Sequence, residues 1–271
     1  MNNDTLVELV KNQKFYLIHK SQRDEKVLEA MREVDRVNFL GQEPIDLYDF
    51  DGHEFCKMAK MLINKEIHSK SEMDEIKGYL KHVLVSLSVV NVYARDLAYN
   101  DTALPIGNDQ TCSQPSMVGF MADILELEQG MKVLEVGAGC GYHAAVTAHL
   151  IGESGYLYTI EIMPELANLA KKNLANHFGI NKVKQRLEVI CGDGSMGLRQ
   201  EATFDRIYLT AGVNSGSFDP LILEKQLKPN GILLFPEEEG AIIKERYDNG
   251  IKVETKQYKG VSFVPLKGKN S

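Results

Sequence analysis

MKVLEVGAGCGYHAAVTAHLIGESGYLYTIE, residues Met131 to Glu161, passes from an apolar run through closely spaced glycines into an alanine-rich segment and then a second apolar run. Val133 to Val136 suits a buried parallel strand, Gly137, Gly139 and Gly141 make a turn, and Tyr142 to Ile151 reads as a helix. Tyr156 to Ile160 is a second strand, closing on Glu161. Glycines serve such a loop because the backbone must turn tightly and a ligand must come close without meeting a Cβ. The helix N-terminus behind it offers free N–H groups, and an acid ending the next strand can accept from two ribose hydroxyls. A dinucleotide fits less well than a nucleoside, because Tyr142 stands where the pyrophosphate fingerprint needs its third glycine. Glu135, two residues before the first glycine, suits a cationic amino group better than a phosphate. Together these features favour S-adenosylmethionine, which leaves as S-adenosylhomocysteine.

With 271 residues, 44% of them hydrophobic, the chain is long enough for a substantial core. Its net charge of −7 argues against a nucleic-acid partner. No cationic-then-apolar leader opens it and no apolar stretch approaches a membrane span, so a cytoplasmic protein is expected. Cys56, Cys112, Cys140 and Cys191 show neither CxxC spacing nor a disulfide framework, and the seven histidines form no HxxxH or HExxH pair. No metal site is expected. Cys112, Cys140 and Cys191 each fall in a loop near the expected ligand, yet no His or Lys stands beside them in sequence as an activator, and they read as small half-buried side chains.

The periodicity predicts helices through residues 1–40, with Val27, Leu28, Met31, Val34 and Val37 on one face of Lys26 to Leu40. Residues 41–54 read as an exposed loop, followed by a helical segment to Ala98. In AYNDTALPIGNDQTCSQPSMVGFM, Ala98 to Met121, an extended turn at Leu104 to Gly107 leads into a polar loop holding Gln110, Thr111 and Ser113. Pro115 at a helix start sets Ser113 just ahead of free N–H groups, a place that can hold an anion. After Glu161, Pro164 begins a helix and Gly179 ends it. Strands at Leu187 to Ile190, Phe204 to Thr210 and Gly231 to Pro236 follow, with a helix at Leu221 to Leu227 and an antiparallel hairpin around Asp248-Asn249-Gly250. The expected fold is a doubly wound α/β, mostly parallel, Rossmann-like sheet with a C-terminal antiparallel hairpin. Gly137 to Gly141, Glu161, Asp193 and Thr210 would meet at its carboxyl edge. Asp193 is suited to accept from the exocyclic amine of adenine.

The segments KVLEAMREVDRVNF (26–39), AYNDTALPIGNDQTCSQPSMV (98–118), KVLEVGAGCGYHAA (132–145), YTIE (158–161), GDGSMG (192–197), FDRIYLTA (204–211), LEKQLKPNGILLFP (223–236) and GVSFVPL (260–266) resemble the protein-L-isoaspartate (D-aspartate) O-methyltransferase family. That resemblance implies methyl transfer from S-adenosylmethionine to the α-carboxylate of L-isoaspartyl residues in damaged proteins and peptides, a protein repair activity. It implies Ser113 as the active-site serine. Donor contacts would come from Gln110, Thr111, Glu135, Gly137, Gly139, Cys140, Gly141, Glu161, Asp193, Gly194 and Thr210. Ile106, Thr111, Ser113, Val261, Val264 and Leu266 would contact the peptide.

Two regions are expected: 1–97, helical and carrying an insertion at about 41–95, and 98–271, the methyltransferase domain. The chain departs from the family pattern at Asp35 for a proline, Asp109 for a small residue, Cys112 for an aliphatic one and Ser262 for an arginine. Asp109 would bring negative charge near a site meant for a carboxylate. A relative methylating an Asp side chain of a dedicated peptide, and a non-catalytic donor-binding adaptor, are the alternatives. The sequence does not fix the oligomeric state.

Overall fold

Val133 and Leu134 are fully buried because the strand that carries them, β3 (Lys132–Val136), has neighbours on both edges and packing on both faces. A computed structural model describes residues 2–11, 24–40 and 97–271. The inserted segment expected at about 41–95 lies outside them. The other strands are β1 (Leu104–Gly107), β2 (Gln110–Cys112), β4 (Tyr156–Glu161), β5 (Leu187–Cys191), β6 (Phe204–Leu209), β7 (Leu227–Glu237), β8 (Ala241–Asp248) and β9 (Ile251–Lys259). Seven of them form one sheet in the order β5-β4-β3-β6-β7-β8-β9, parallel from β5 to β7 and antiparallel at β8 and β9. β1 and β2 make a separate antiparallel hairpin. The expected doubly wound sheet with its terminal hairpin is therefore present. Strand order reverses between β3 and β6, where open α/β sheets leave a crevice at their carboxyl edge.

Helices α1 (Asn3–Lys11), α2 (Asp24–Glu33), α3 (Pro115–Ile124), α4 (Tyr142–Ile151) and α5 (Pro164–Phe178) pack mainly on one face, with Leu6, Met31, Phe120, Ala145 and Leu174 in a common core. The other face is covered by the short α7 (Leu221–Glu224) and neighbouring loops around Leu198, Phe218 and Phe235. Three alanines and no interior Gly or Pro favour the helical backbone of α4, and burial of most of its residues stabilises it. Gly141, at φ +89°, turns the chain into it. Pro164 occupies the first turn of α5 and Gly179 ends it, as the sequence predicts.

Three expectations are corrected. Leu221 to Leu227 is helical only to Glu224, because Leu227 already pairs with Phe204 as the first residue of β7. Gly179 is followed at once by an unexpected helix, α6 (Ile180–Arg186). Lys26 to Leu40 is not one helix: α2 stops at Glu33, and a 3-10 turn, Arg36–Phe39, follows. Asp35 accounts for the break, since its carboxylate accepts from the Val37 N–H at 3.3 Å and from the Tyr99 hydroxyl at 3.3 Å. No helix among the described residues is long and apolar enough to cross a membrane.

Candidate active site

A solvent-open crevice lies at the carboxyl edge, bounded by the loops after β3, β4 and β6 and by the β1–β2 hairpin. One wall is the loop after β3. Gly137 has φ +101°, and a Cβ there would lie 2.2 Å from Thr210 Oγ1, so only glycine fits. The Thr210 hydroxyl donates to the Gly137 carbonyl at 2.6 Å and ties the ends of β3 and β6 together. Glu161 closes β4 at the same level. Its Oε2 accepts from the Gly139 N–H at 2.8 Å and its Oε1 from the Met163 N–H at 3.0 Å. Each oxygen keeps a lone pair for a further donor such as a ribose hydroxyl. Ile162 stays 38% exposed on the cavity wall, an apolar surface against which a base can pack.

The facing wall is the β1–β2 hairpin and the turn into α3, with Gln110, Thr111, Cys112 and Ser113 along the cavity. Asn108 and Asp109, both at φ +56°, form the hairpin tip, a conformation that two-residue hairpins require and that Asn and Asp tolerate. Asp109 is exposed there and is not part of the cavity wall. The hairpin is held from behind by Arg36. This side chain is fully buried and donates to the carbonyls of Ala98, Asn100, Thr102, Cys112 and Ser113 at 2.8 to 3.3 Å. The far end of the wall is Val264 to Lys267. Gly212 N–H donates to Val264 O at 2.7 Å and Leu266 N–H to Gly212 O at 2.6 Å, which fixes that segment beside Thr210.

Gln110, Thr111, Ser113, Gly137, Gly139, Cys140, Glu161, Gly194, Thr210, Val264 and Leu266 thus share one cavity. Five expected residues do not line it. Glu135 is wholly buried on the opposite face of the sheet from Val136, accepting from Thr159 Oγ1 at 2.5 Å and Tyr208 OH at 2.9 Å. Burial, opposed by those two hydrogen bonds, raises the Glu135 pKa to about 8. Asp193 is engaged elsewhere, with Oδ1 taking Ser195 N–H and Oγ at 2.9 and 2.7 Å and Oδ2 the Lys269 N–H at 3.0 Å. Gly141 lies behind the turn, against Leu174. Ile106 supports the loop from outside the wall, its Cδ1 3.2 Å from where a Gly139 Cβ would be. Val261 pairs through its N–H with the Gly240 carbonyl at 3.3 Å.

Arg36, Tyr142, His143, Ile162, Met163 and Lys267 belong to the site or its support and were not singled out from sequence. His143 stacks on Tyr208 at 4.8 Å, and burial lowers its pKa to about 3, so it is neutral. The only sequence signal for Arg36 is its place in the segment 26–39 that carried the resemblance.

Residues 57–271 match the family model described as protein-L-isoaspartate (D-aspartate) O-methyltransferase. Among curated relatives, a protein-L-isoaspartate O-methyltransferase of Archaeoglobus fulgidus is 42% identical over 215 residues, 78% of this chain and 92% of the relative. One from Methanococcus maripaludis is 43% identical over 221 residues, 80% of this chain and 98% of that protein. A solved Plasmodium falciparum structure, described as a protein-L-isoaspartate O-methyltransferase with S-adenosyl-L-homocysteine, shares the fold. Its TM-score is 0.65 at 20% identity, over 98% of this chain and 99% of that one. The chain belongs to the protein-L-isoaspartate (D-aspartate) O-methyltransferase family.

Proposed function

We propose that this chain is an S-adenosylmethionine-dependent carboxyl O-methyltransferase of the cytoplasm, acting on the α-carboxylate of L-isoaspartyl residues in damaged proteins and peptides. The observation that carries the proposal is that Ser113 lines the same cavity as the glycine loop and Glu161. The donor fits these residues: Glu161 has acceptor capacity left for the ribose, Gly137 and Gly139 keep side chains out of the way, and Ile162 offers a face to the base. When bound, S-adenosylmethionine supplies a methyl carbon activated by an adjacent sulfonium.

The protein's own task is alignment. An isoaspartyl α-carboxyl has a pKa of about 3 to 4, so it reaches the site already ionised and needs no general base. A neutral His143 is compatible with that chemistry. Ser113 aims the carboxylate by hydrogen bonding, and Val264 to Leu266 bound the peptide side of the cavity. Orientation of this kind is worth roughly 7 to 11 kcal/mol. The serine must hold loosely, because the acceptor loses its charge as the ester forms and tighter ground-state binding would slow the step.

Labelled S-adenosylmethionine offered with an isoaspartyl peptide and its normal aspartyl counterpart tests the reading. Base-labile label on the isoaspartyl peptide alone is expected. Refusal of both peptides by a chain that binds S-adenosylhomocysteine would overturn it in favour of a dedicated peptide substrate or an adaptor.

A further inference from the structure

His149 and His177 stand 28 residues apart in sequence and meet in space, each in the last turn of its helix, α4 and α5. Their Nε2 atoms share a hydrogen bond at 2.9 Å, with the ring planes 65° apart. Phe178 packs on His149 at 5.1 Å between ring centroids and Phe39 on His177 at 5.6 Å, so apolar walls hold both half-buried imidazoles in place. Neither lines the donor cavity; His149 opens instead on a second groove between α2, α3 and α4, which Glu29, Glu33 and Glu128 also line. The carbonyl ends of two helices meet here, and their partial negative charge favours a cation. Burial, then the charges of His177 and Arg186, hold the His149 pKa down to about 4, and burial and Arg186 hold that of His177 below its ordinary value against the pull of Glu33. Both rings are therefore neutral at pH 7, and a metal competes there with no proton.

We propose that His149 and His177 form a binding site for a divalent transition metal with cis ligand positions, nickel(II) or copper(II), which clamps the ends of α4 and α5 together. The spacing selects the metal. Two nitrogen ligands at about 2.1 Å on a cis edge of about 90° stand roughly 3.0 Å apart, close to the 2.9 Å found, whereas a tetrahedral pair of the kind zinc prefers stands roughly 3.4 Å apart. The ring that donates through Nε2 carries its proton at Nδ1 instead, so two neutral imidazoles bind with no net proton release. Among the described residues no three His, Cys, Asp or Glu side chains gather to hold a metal by themselves. Water fills the remaining positions, and Glu33, whose charge acts on His177, lies on the open side. The Arg186 guanidinium, which donates to the Ala148 carbonyl at 3.2 Å, opposes the charge of the metal. Asn173, one turn before His177 on α5, donates to the Cys140 carbonyl at 2.9 Å, so a clamp at the helix ends braces the glycine loop from behind.

The full chain is titrated with nickel(II) chloride in a calorimeter and followed by NMR of its imidazoles. Nickel should broaden the resonances of His149 and His177 before those of any other histidine, and His149→Gln and His177→Gln should each weaken its binding at least tenfold. Arg186→Gln should tighten it severalfold by removing the opposing charge. Saturating nickel should raise the Tm of the unaltered chain and leave that of both histidine variants where it was, because a ligand stabilises only the fold that holds its site. Zinc(II) should bind at least fivefold more weakly than nickel. Nickel that leaves those two resonances sharp, or that binds both histidine variants as tightly as the unaltered chain, overturns the proposal, and zinc bound as tightly as nickel overturns the cis geometry on which it stands. No measurement here uses S-adenosylmethionine or a peptide, so failure does not bear on the enzymatic reading.

Discussion

The two walls of the cavity are built on opposite principles. The donor wall stands on the central strands, and its parts are neighbours in sequence or joined across one strand pair: Gly137 to Thr210, Gly139 to Glu161. The acceptor wall is a small hairpin off the main sheet, held by one guanidinium that lies 62 to 77 residues away from the carbonyls it grips. A wall made of strand ends is positioned by the whole sheet, whereas a hairpin needs an anchor of its own.

If that contrast is right, damage to the anchor should be the most severe. Arg36→Leu strands five carbonyls, most of them in buried surroundings, and should lower unfolding free energy by roughly 3 kcal/mol or more in denaturant titration. Gly137→Ala attacks the donor wall at its tightest point. Its positive φ and the clash with Thr210 should remove about 2 kcal/mol of stability and weaken S-adenosylhomocysteine binding by more than tenfold, measured by calorimetry.

Single polar groups should then separate the walls. Glu161→Ala is expected to weaken S-adenosylhomocysteine by about 1.5 to 3 kcal/mol, whereas Ser113→Ala should lower kcat by a comparable free energy and leave that affinity unchanged. Equal loss of both quantities in both variants would end the division.

The last effect is read against pH and concerns Glu135, in the strand that ends at the donor wall. Glu135 titrates at about 8 when folded against 4.5 as a model carboxyl. Between those values the folded protein keeps a proton that the unfolded chain has released. Its stability contribution is therefore complete below pH 4.5 and declines as pH rises toward 8, by about 1.4 kcal/mol per unit at most. Glu135→Gln should flatten the fall in Tm over that interval, and a parallel decline in both proteins would count against the buried protonated acid.

The same contrast explains what the sequence made legible. Gly137, Gly139, Glu161 and Thr210 could be brought together on paper because strand, turn and period fix where each strand ends. Pro164 and Gly179 bounded α5 for a similarly local reason. Arg36 could not be assigned, since nothing local marks an arginine whose acceptors lie so far along the chain. Glu135 stands only two residues before the first glycine, yet the folded chain buries it against Thr159 and Tyr208, partners that its sequence neighbours do not announce. The sequence suits Asp193 to the exocyclic amine of adenine, and only the folded chain brings the Lys269 N–H to it. At Asp109 the turn geometry explains the residue better than any charge argument does.

Arg36 holds only main-chain oxygens, so the side chains at 98, 100, 102, 112 and 113 are not part of its grip. The hairpin can then be varied at its side chains: randomising Gln110 and Thr111 in a library, with Asn108 and Asp109 kept for their left-handed turn, should yield many folded variants with altered peptide preference, provided Arg36 is kept constant.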